Sequence, residues 1–241
     1  MCIRDSYDYD VESKIIAAFV NFEWNLTEKT KLVTGIRGEK VDYEYETNIT
    51  PGTKGRIQVA PNRNDDFTEF SPKLAINHKI NDDLAIFANF SRGNRAPQTT
   101  DLYRIQSKQI PGGAKSEKLD SFEIGLRGNF SIFNLELVGF DMQKENYFFR
   151  DSQGFNVENG KTTHRGFEVN FLIEFNQFFQ IENSTSFAEH EYDFDHSPNG
   201  IKSGNQIDSA PELLANTRLI FTPKERTRIE LEWEKIDSYP V

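Results

Sequence analysis

Residues able to do chemistry fall in a few places along the chain. The densest run is Glu189-His190-Glu191-Tyr192-Asp193-Phe194-Asp195-His196. Alternate residues of a strand share a face, so Glu189, Glu191, Asp193 and Asp195 would point one way, a set suited to a hard cation such as calcium. His190, Tyr192, Phe194 and His196 would point the other way, and a transition metal there needs convergent carboxylates as well. A solvated strand end is the preferred reading, and no metal site is assigned. A second group holds Arg92, Arg95, Tyr103 and Arg104, with Arg150 following Tyr147-Phe148-Phe149 further on. Guanidinium groups present fixed donors to an anionic ligand. The same residues would also pin a loop through Arg–carboxylate pairs, with Pro97 fixing the turn, and that is the preferred reading of the pair. For 147–150 an aromatic girdle at a membrane edge is the simpler account. Glu230, Glu232 and Glu234 share one face of one strand. Glycoside chemistry needs two carboxylates flanking one bond, so a hydrated lining is preferred. Nucleophile-elbow, phosphate-loop and zinc-protease motifs are missing from the sequence. No enzyme and no cofactor are expected.

The elements that carry these residues are strands. The 241 residues hold 28 Lys and Arg against 38 Asp and Glu, a net charge of −10, which argues against a nucleic-acid partner. Cys2 is the one cysteine, so an internal disulfide framework and a cysteine zinc site are excluded. The longest apolar run, Ile15 to Val20, falls far short of the roughly 18 residues of a spanning helix. A membrane β-barrel is still allowed, because its strands alternate and mean hydropathy stays low. Phe122, Ile124, Leu126, Gly128 and Phe130 alternate with Glu123, Gly125, Arg127 and Asn129. Phe167, Val169, Phe171, Ile173 and Phe175 do the same with Glu168, Asn170, Leu172 and Glu174, as do Ile229, Leu231 and Trp233 with Glu230, Glu232 and Glu234. Weaker alternation runs through 14–24, 29–48, 67–80, 84–93, 133–149, 178–194 and 212–223, for about ten strands, several longer than is usual in soluble sheets.

Connections alternate in length. Those at Asn25–Glu28, Asn81–Asp83, Gly128–Phe133, Asn176-Gln177 and Pro223–Glu225 are short. Those at 49–66, 94–117 and 195–211 are long, and the one after Arg150 is intermediate. In an up-and-down antiparallel sheet this puts every tight turn at one end and every long loop at the other, the asymmetry of an outer-membrane barrel. Parity shifts inside two strands; in one, Leu32, Thr34 and Ile36 are even and Val41, Tyr43 and Tyr45 odd. A bulge near Gly38, or extension of the strand beyond the bilayer, would each explain it. Lys31, Lys73, Arg127, Arg165 and Arg218 are expected on the lumen side or near its rims.

Ser91-Arg92-Gly93-Asn94-Arg95-Ala96-Pro97, followed by Asp101-Leu102-Tyr103, resembles the Arg-Gly-Phe-Arg-Ala-Pro strand exit of TonB-dependent outer-membrane receptors, with Asn94 where Phe is usual. Phe70-Ser71-Pro72-Lys73-Leu74, Ser116–Gly125, Asn159–Glu168 and Ala210-Pro211 with Asn216 are similar to further strands and a loop exit of the same family, in order, across 14–237. The resemblance implies an all-β, antiparallel up-and-down transmembrane β-barrel, here a fragment of about ten strands out of about 22, with short periplasmic turns and long extracellular loops. Residues 1–241 are then a partial barrel domain. The plug domain and last strands are absent, these strands fall roughly tenth to nineteenth, and residues 1–13 lie outside the native structured sequence.

The resemblance also implies a function. A scarce solute, by default a ferric siderophore, would be bound by the loops and lumen, and energy coupled through the TonB complex would move the missing plug. The partners implied are the TonB complex, outer-membrane lipid and a ferric-siderophore-like ligand, for a monomer in the outer membrane of a Gram-negative-type bacterium. Arg92, Arg95, Tyr103, Arg104 and Arg150 are the candidate ligand contacts. Between Asn94 and Lys118 there is no His and no Asn-Pro-Asn-Leu stretch of the kind expected in haem receptors of the family, so haem is disfavoured. Two alternatives remain open: a passive porin-like barrel, and a soluble all-β binding module whose apolar faces meet as a core.

Overall fold

A computed structural model describes residues 7–107, 109–150, 156–197 and 200–240. Cys2, Pro198-Asn199 and the connection just after Arg150 lie outside the described residues. In chain order the elements are β1 (Tyr9–Asn25), β2 (Thr30–Thr47), β3 (Gly52–Lys54), β4 (Ile57–Val59), β5 (Arg63–Lys79), β6 (Leu84–Arg95), α1 (Thr99–Tyr103), β7 (Ile105–Gln106), β8 (Glu117–Asn129), β9 (Phe133–Arg150), β10 (Asn156–Glu174), β11 (Phe179–Tyr192), β12 (Leu213–Lys224) and β13 (Thr227–Ile236). Ten of them form one antiparallel sheet in the order β1-β2-β5-β6-β8-β9-β10-β11-β12-β13, and β3, β4 and β7 form a small second sheet. Each long strand therefore pairs with its neighbour along the chain, and the sheet is up-and-down.

Every tight turn falls at one end. Leu26 N–H donates to Thr30 O at 2.9 Å, Ile80 to Leu84 at 2.9 Å, Phe130 to Phe133 at 2.9 Å and Phe175 to Phe179 at 3.0 Å. The long connections, including β3, β4, α1 and β7, all fall at the other end. A strand of 17–19 residues exceeds the roughly 9–11 that cross a bilayer, so these strands run well past one.

The two faces differ. One carries Phe70, Phe122, Ile124, Phe167 and Leu231, which are 60%, 50%, 59%, 52% and 68% exposed. Among the described residues no second layer covers these rows, so the sandwich alternative is not favoured. Towards the tight turns the apolar face ends in aromatics: Phe22 and Trp24 lie 5.8 Å apart, and Phe179 stacks on Phe221 at 4.3 Å. The opposite face carries polar and charged side chains, such as Lys31 with Glu23 at 2.5 Å and Arg127 with Glu136 at 2.5 Å. Asn216 Nδ2 on this face donates to Glu232 at 2.8 Å.

The buried core is small and sits at the loop end, on the polar face. It consists of Tyr45, Ala60, Leu102, Tyr103 and Ala114, with Tyr9, Val11, Tyr43 and Phe67 packed against it. This accounts for the parity change in β2. The β1–β2 and β2–β5 registers are continuous throughout, so there is no bulge at Gly38. Leu32, Thr34 and Ile36 lie on the apolar face. Val41, Tyr43 and Tyr45 lie on the other, beyond the apolar band, where they hold the inward-folded loops.

Three expectations are corrected. Strand β1 begins at Tyr9, so residues 9–13 are structured: Tyr9 pairs with Thr47 and its ring lies 5.3 Å from Tyr45. Arg165 shares the parity of Phe167, so it lies on the apolar-face side, paired with Asp141 at 2.7 Å. Tyr147 and Phe149 do not form a membrane girdle. A bulge at Asn146, φ 57°, turns both onto the polar face, where they stack on each other at 5.3 Å and Phe149 lies 6.1 Å from Tyr192.

Candidate site at the mouth of a barrel wall

The loop after β6 carries most of the predicted site residues, and the sequence makes it fold inward. Asp101 accepts the backbone N–H of Gln98 at 3.0 Å and starts the single turn of α1, which puts Leu102 and Tyr103 on its buried side. Tyr103 is fully buried. Its ring stacks on Tyr45 at 4.3 Å and 17°, and its hydroxyl donates to Asp65 Oδ2 at 2.9 Å. Arg63 grips both oxygens of the same carboxylate at 2.7 and 2.6 Å. Burial, reinforced by the hydrogen bond to Asp65, pushes the Tyr103 phenol well above its ordinary range. Tyr103 is thus an anchor with no surface to offer a ligand, which corrects its place among the ligand contacts.

Arg92 and Arg95 are engaged as well. Arg92 lies on the apolar-face side just beyond Phe90 and Phe122, with Nε and Nη2 each 2.6 Å from Asp120. It therefore does not face the lumen, a second correction. Arg95, on the polar face, donates to Glu117 at 3.0 Å and stands 3.9 Å from Asp101. Glu117 also receives the Phe148 N–H at 3.1 Å and Lys144 at 3.4 Å. Burial alone would raise the Glu117 pKa, but Arg95, the Phe148 amide and Lys144 together hold it below the usual carboxylate range. This hub joins β6, β8 and β9 to the loop. Arg95 ties the loop through Asp101 and Glu117, whereas the Arg92–Asp120 pair joins β6 to β8 within the sheet.

Arg104 and Arg150 remain exposed. Arg104 closes α1, and its guanidinium lies 5.8 Å over the Tyr7 ring. Arg150 ends β9 opposite Asn156.

Two contacts lock the long loops together. In the second sheet, Ile57 and Gln58 of β4 pair with Gln106 and Ile105 of β7. On the far side, Gln109 Nε2 donates to Glu158 at 2.5 Å and the Asn156 amide donates to Gln106 at 2.9 Å. Burial raises the Glu158 pKa. The loop thus spans the inner face from β2 to β10.

Sequence reasoning missed one pair. His164 Nδ1 and His190 Nδ1 are 2.8 Å apart, and Thr162 Oγ1 is 3.0 Å from His164 Nε2. Burial lowers the basicity of both rings, His190 adds to this at His164, and Glu212 opposes it at His190. Both lie beyond the Phe167–Phe187 row, on the polar face. The fold joins them across 26 positions, a distance that periodicity alone does not bridge. The acidic half of the 189–196 run is a strand end, with Asp193 and Asp195 receiving Ser203.

A single-layer sheet with an exposed apolar face, tight turns at one end and inward-folded loops at the other defines the wall of a membrane β-barrel. Residues 3–234 match the family described as TonB dependent receptor-like, beta-barrel, and the chain belongs to that family. Its barrels are outer-membrane proteins of Gram-negative bacteria and act as transporters rather than enzymes. Tight turns are accordingly periplasmic and long loops extracellular. Among curated proteins no match is found.

Solved structures agree in fold. The copper transporter OprC superposes with a TM-score of 0.76 at 16% identity, over 94% of this chain and 34% of that one. The ferric citrate transporter FecA, in its unliganded form, gives 0.75 at 17%, over 97% and 34%. The siderophore receptor PiuA from Acinetobacter baumannii gives 0.72 at 17%, over 95% and 34%. The chain thus spans about a third of the length of these structures.

Proposed function

We propose that this chain is part of the wall and extracellular mouth of a TonB-energised receptor that takes up a scarce solute, with a ferric siderophore as the leading cargo. The observation that supports this most is the inward lock of the long loops on the polar face, through Tyr103 on Tyr45 and through β4 on β7. Inward-held loops shape the mouth a receptor needs, and membership of the TonB-dependent family weighs against a passive barrel. Arg104 and Arg150 are among the exposed cations of the long-loop end and would meet an anionic chelate there. Outer-membrane lipid would cover the Phe, Ile and Leu rows, and a plug elsewhere in the complete protein would carry the contact with TonB.

The test is uptake. The full-length protein is produced in a Gram-negative host stripped of its own siderophore receptors, and entry of radiolabelled iron is followed with a panel of ferric siderophores. Saturable entry that disappears when TonB is deleted supports the reading. Entry that is linear in solute concentration and indifferent to TonB favours a passive barrel.

A further inference from the structure

Met142, His164 and His190 stand side by side on three adjacent strands. Met142 pairs with His164 across β9 and β10, and His164 with His190 across β10 and β11. All three share the parity of the polar face, which is the lumen side of the barrel. Two nitrogens bound cis to one metal, at about 2.0–2.1 Å each, are separated by about 2.9 Å. The two Nδ1 atoms already stand 2.8 Å apart. Their mutual hydrogen bond leaves one Nδ1 bare, the metal-ligating form, and the other protonated. The second becomes a donor to metal once its proton moves to Nε2 of the same ring, where for His164 the Thr162 hydroxyl oxygen can accept it. Thr162 steadies the His164 ring from its other nitrogen, as outer-shell partners of ligating imidazoles do. A thioether is a soft donor that suits the same class of ion.

We propose that Met142, His164 and His190 form a lumen-facing site for a first-row transition-metal cation, with the imidazoles as primary donors and the Met142 sulfur closing it from the neighbouring strand. Lys144 on β9 opposes the added charge, but its ammonium is directed to the Tyr147 ring at 4.2 Å and to Glu117. Glu212, ahead of β12, favours it. Among the described residues no group of three or more His, Cys, Asp or Glu side chains converges. Water or donor atoms of a passing solute would complete the coordination. The site rests on the register of three strands and does not depend on which cargo the receptor carries.

The test uses the full-length receptor, purified in detergent without a polyhistidine tag, stripped of metal and titrated with Cu(II). Cu(II) heads the divalent series for nitrogen ligands, and its electron paramagnetic resonance spectrum reports bound nitrogens. We expect one equivalent with hyperfine structure from two imidazoles. His164→Gln and His190→Gln should each weaken binding at least tenfold and remove one nitrogen. Met142→Leu should leave the nitrogens and loosen retention of Cu(I). Heat-modifiable migration on gels checks that each variant folds. If the variants do not fold, Cu(II) should still protect His164 and His190 of the unmodified protein from diethyl pyrocarbonate, read by mass spectrometry. Unprotected imidazoles, no retained copper, or a spectrum unchanged in folded His variants overturns the proposal.

Discussion

Tyr45 and Tyr103 stack at 4.3 Å with 17° between their rings, and this contact is the aromatic anchor of the loop after β6 on the barrel wall. Replacing Tyr103 with Ala removes a fully buried ring, a change that costs about 3–5 kcal/mol in well-packed sites. The loss should be local. Hydrogen exchange across residues 96–116 should speed up markedly while the amides of β8 to β12 stay protected. Tyr103→Phe keeps the stack and removes only the bond to Asp65, so exchange should rise far less. Equal exchange in the two variants would show that the stack is not the anchor.

The Glu117 hub makes the same loop sensitive to acid. Its pKa is lowered in the folded state, so its contribution to stability is fully present above the ordinary carboxylate value of 4.5 and is lost as pH falls through the lower folded value. Protease sensitivity near Ala96–Ser116 should therefore appear on acidification below about pH 4.5, earlier than loss of the β-sheet circular dichroism signal. Glu117→Gln should show that sensitivity at neutral pH and flatten the profile.

Arg92 and Arg104 should part company. The Arg92–Asp120 pair is about a third exposed on each side, and such pairs contribute about 0–1 kcal/mol. Arg92→Ala should leave both unfolding and ferric-siderophore affinity nearly unchanged. On the proposed siderophore reading, Arg104→Ala should weaken that affinity several-fold. Calorimetric titration of the full-length protein measures the affinity, and a thermal melt the unfolding. Matching losses from Arg92 and Arg104 would return Arg92 to the ligand site.

The bulge at Asn146 gives a fourth test. A left-handed backbone at φ 57° suits Asn or Gly, and a β-branched residue there is strained by about 1–3 kcal/mol. Asn146→Val should lower the thermal midpoint of the purified barrel more than Asn146→Gly, which keeps the backbone but loses the bond to Ser116 O.

How far the sequence could be read follows from the range of each interaction. The faces of β8, β10 and β13 are legible because period two is a local property, and the sidedness of the loops because turn residues announce themselves. Arg165 was misplaced although its odd number already aligned it with Phe167. Arg92 shares the parity of Phe90 and carried the same unread signal. Tyr147 and Phe149 could not be placed by counting, because Asn146 shifts the count by one. The β3–β4–β7 sheet is hard to read because its strands are two or three residues long and β7 comes from a different loop. The apolar Leu102, Tyr103 and Ile105 within a polar loop were the available hint that this segment is buried.

The unbroken ladder of β2 gives this strand something like a reading frame. Ile36 on the apolar face and Tyr45 toward the mouth are set by one count of residues, although they answer to different surroundings. Deleting a single residue between them would turn one of the two to the wrong side, whereas losing a pair would shorten the strand and leave both orientations in phase. Natural variation along such strands is therefore expected to come in steps of two, with odd changes confined to the turns, the loops and the bulged positions.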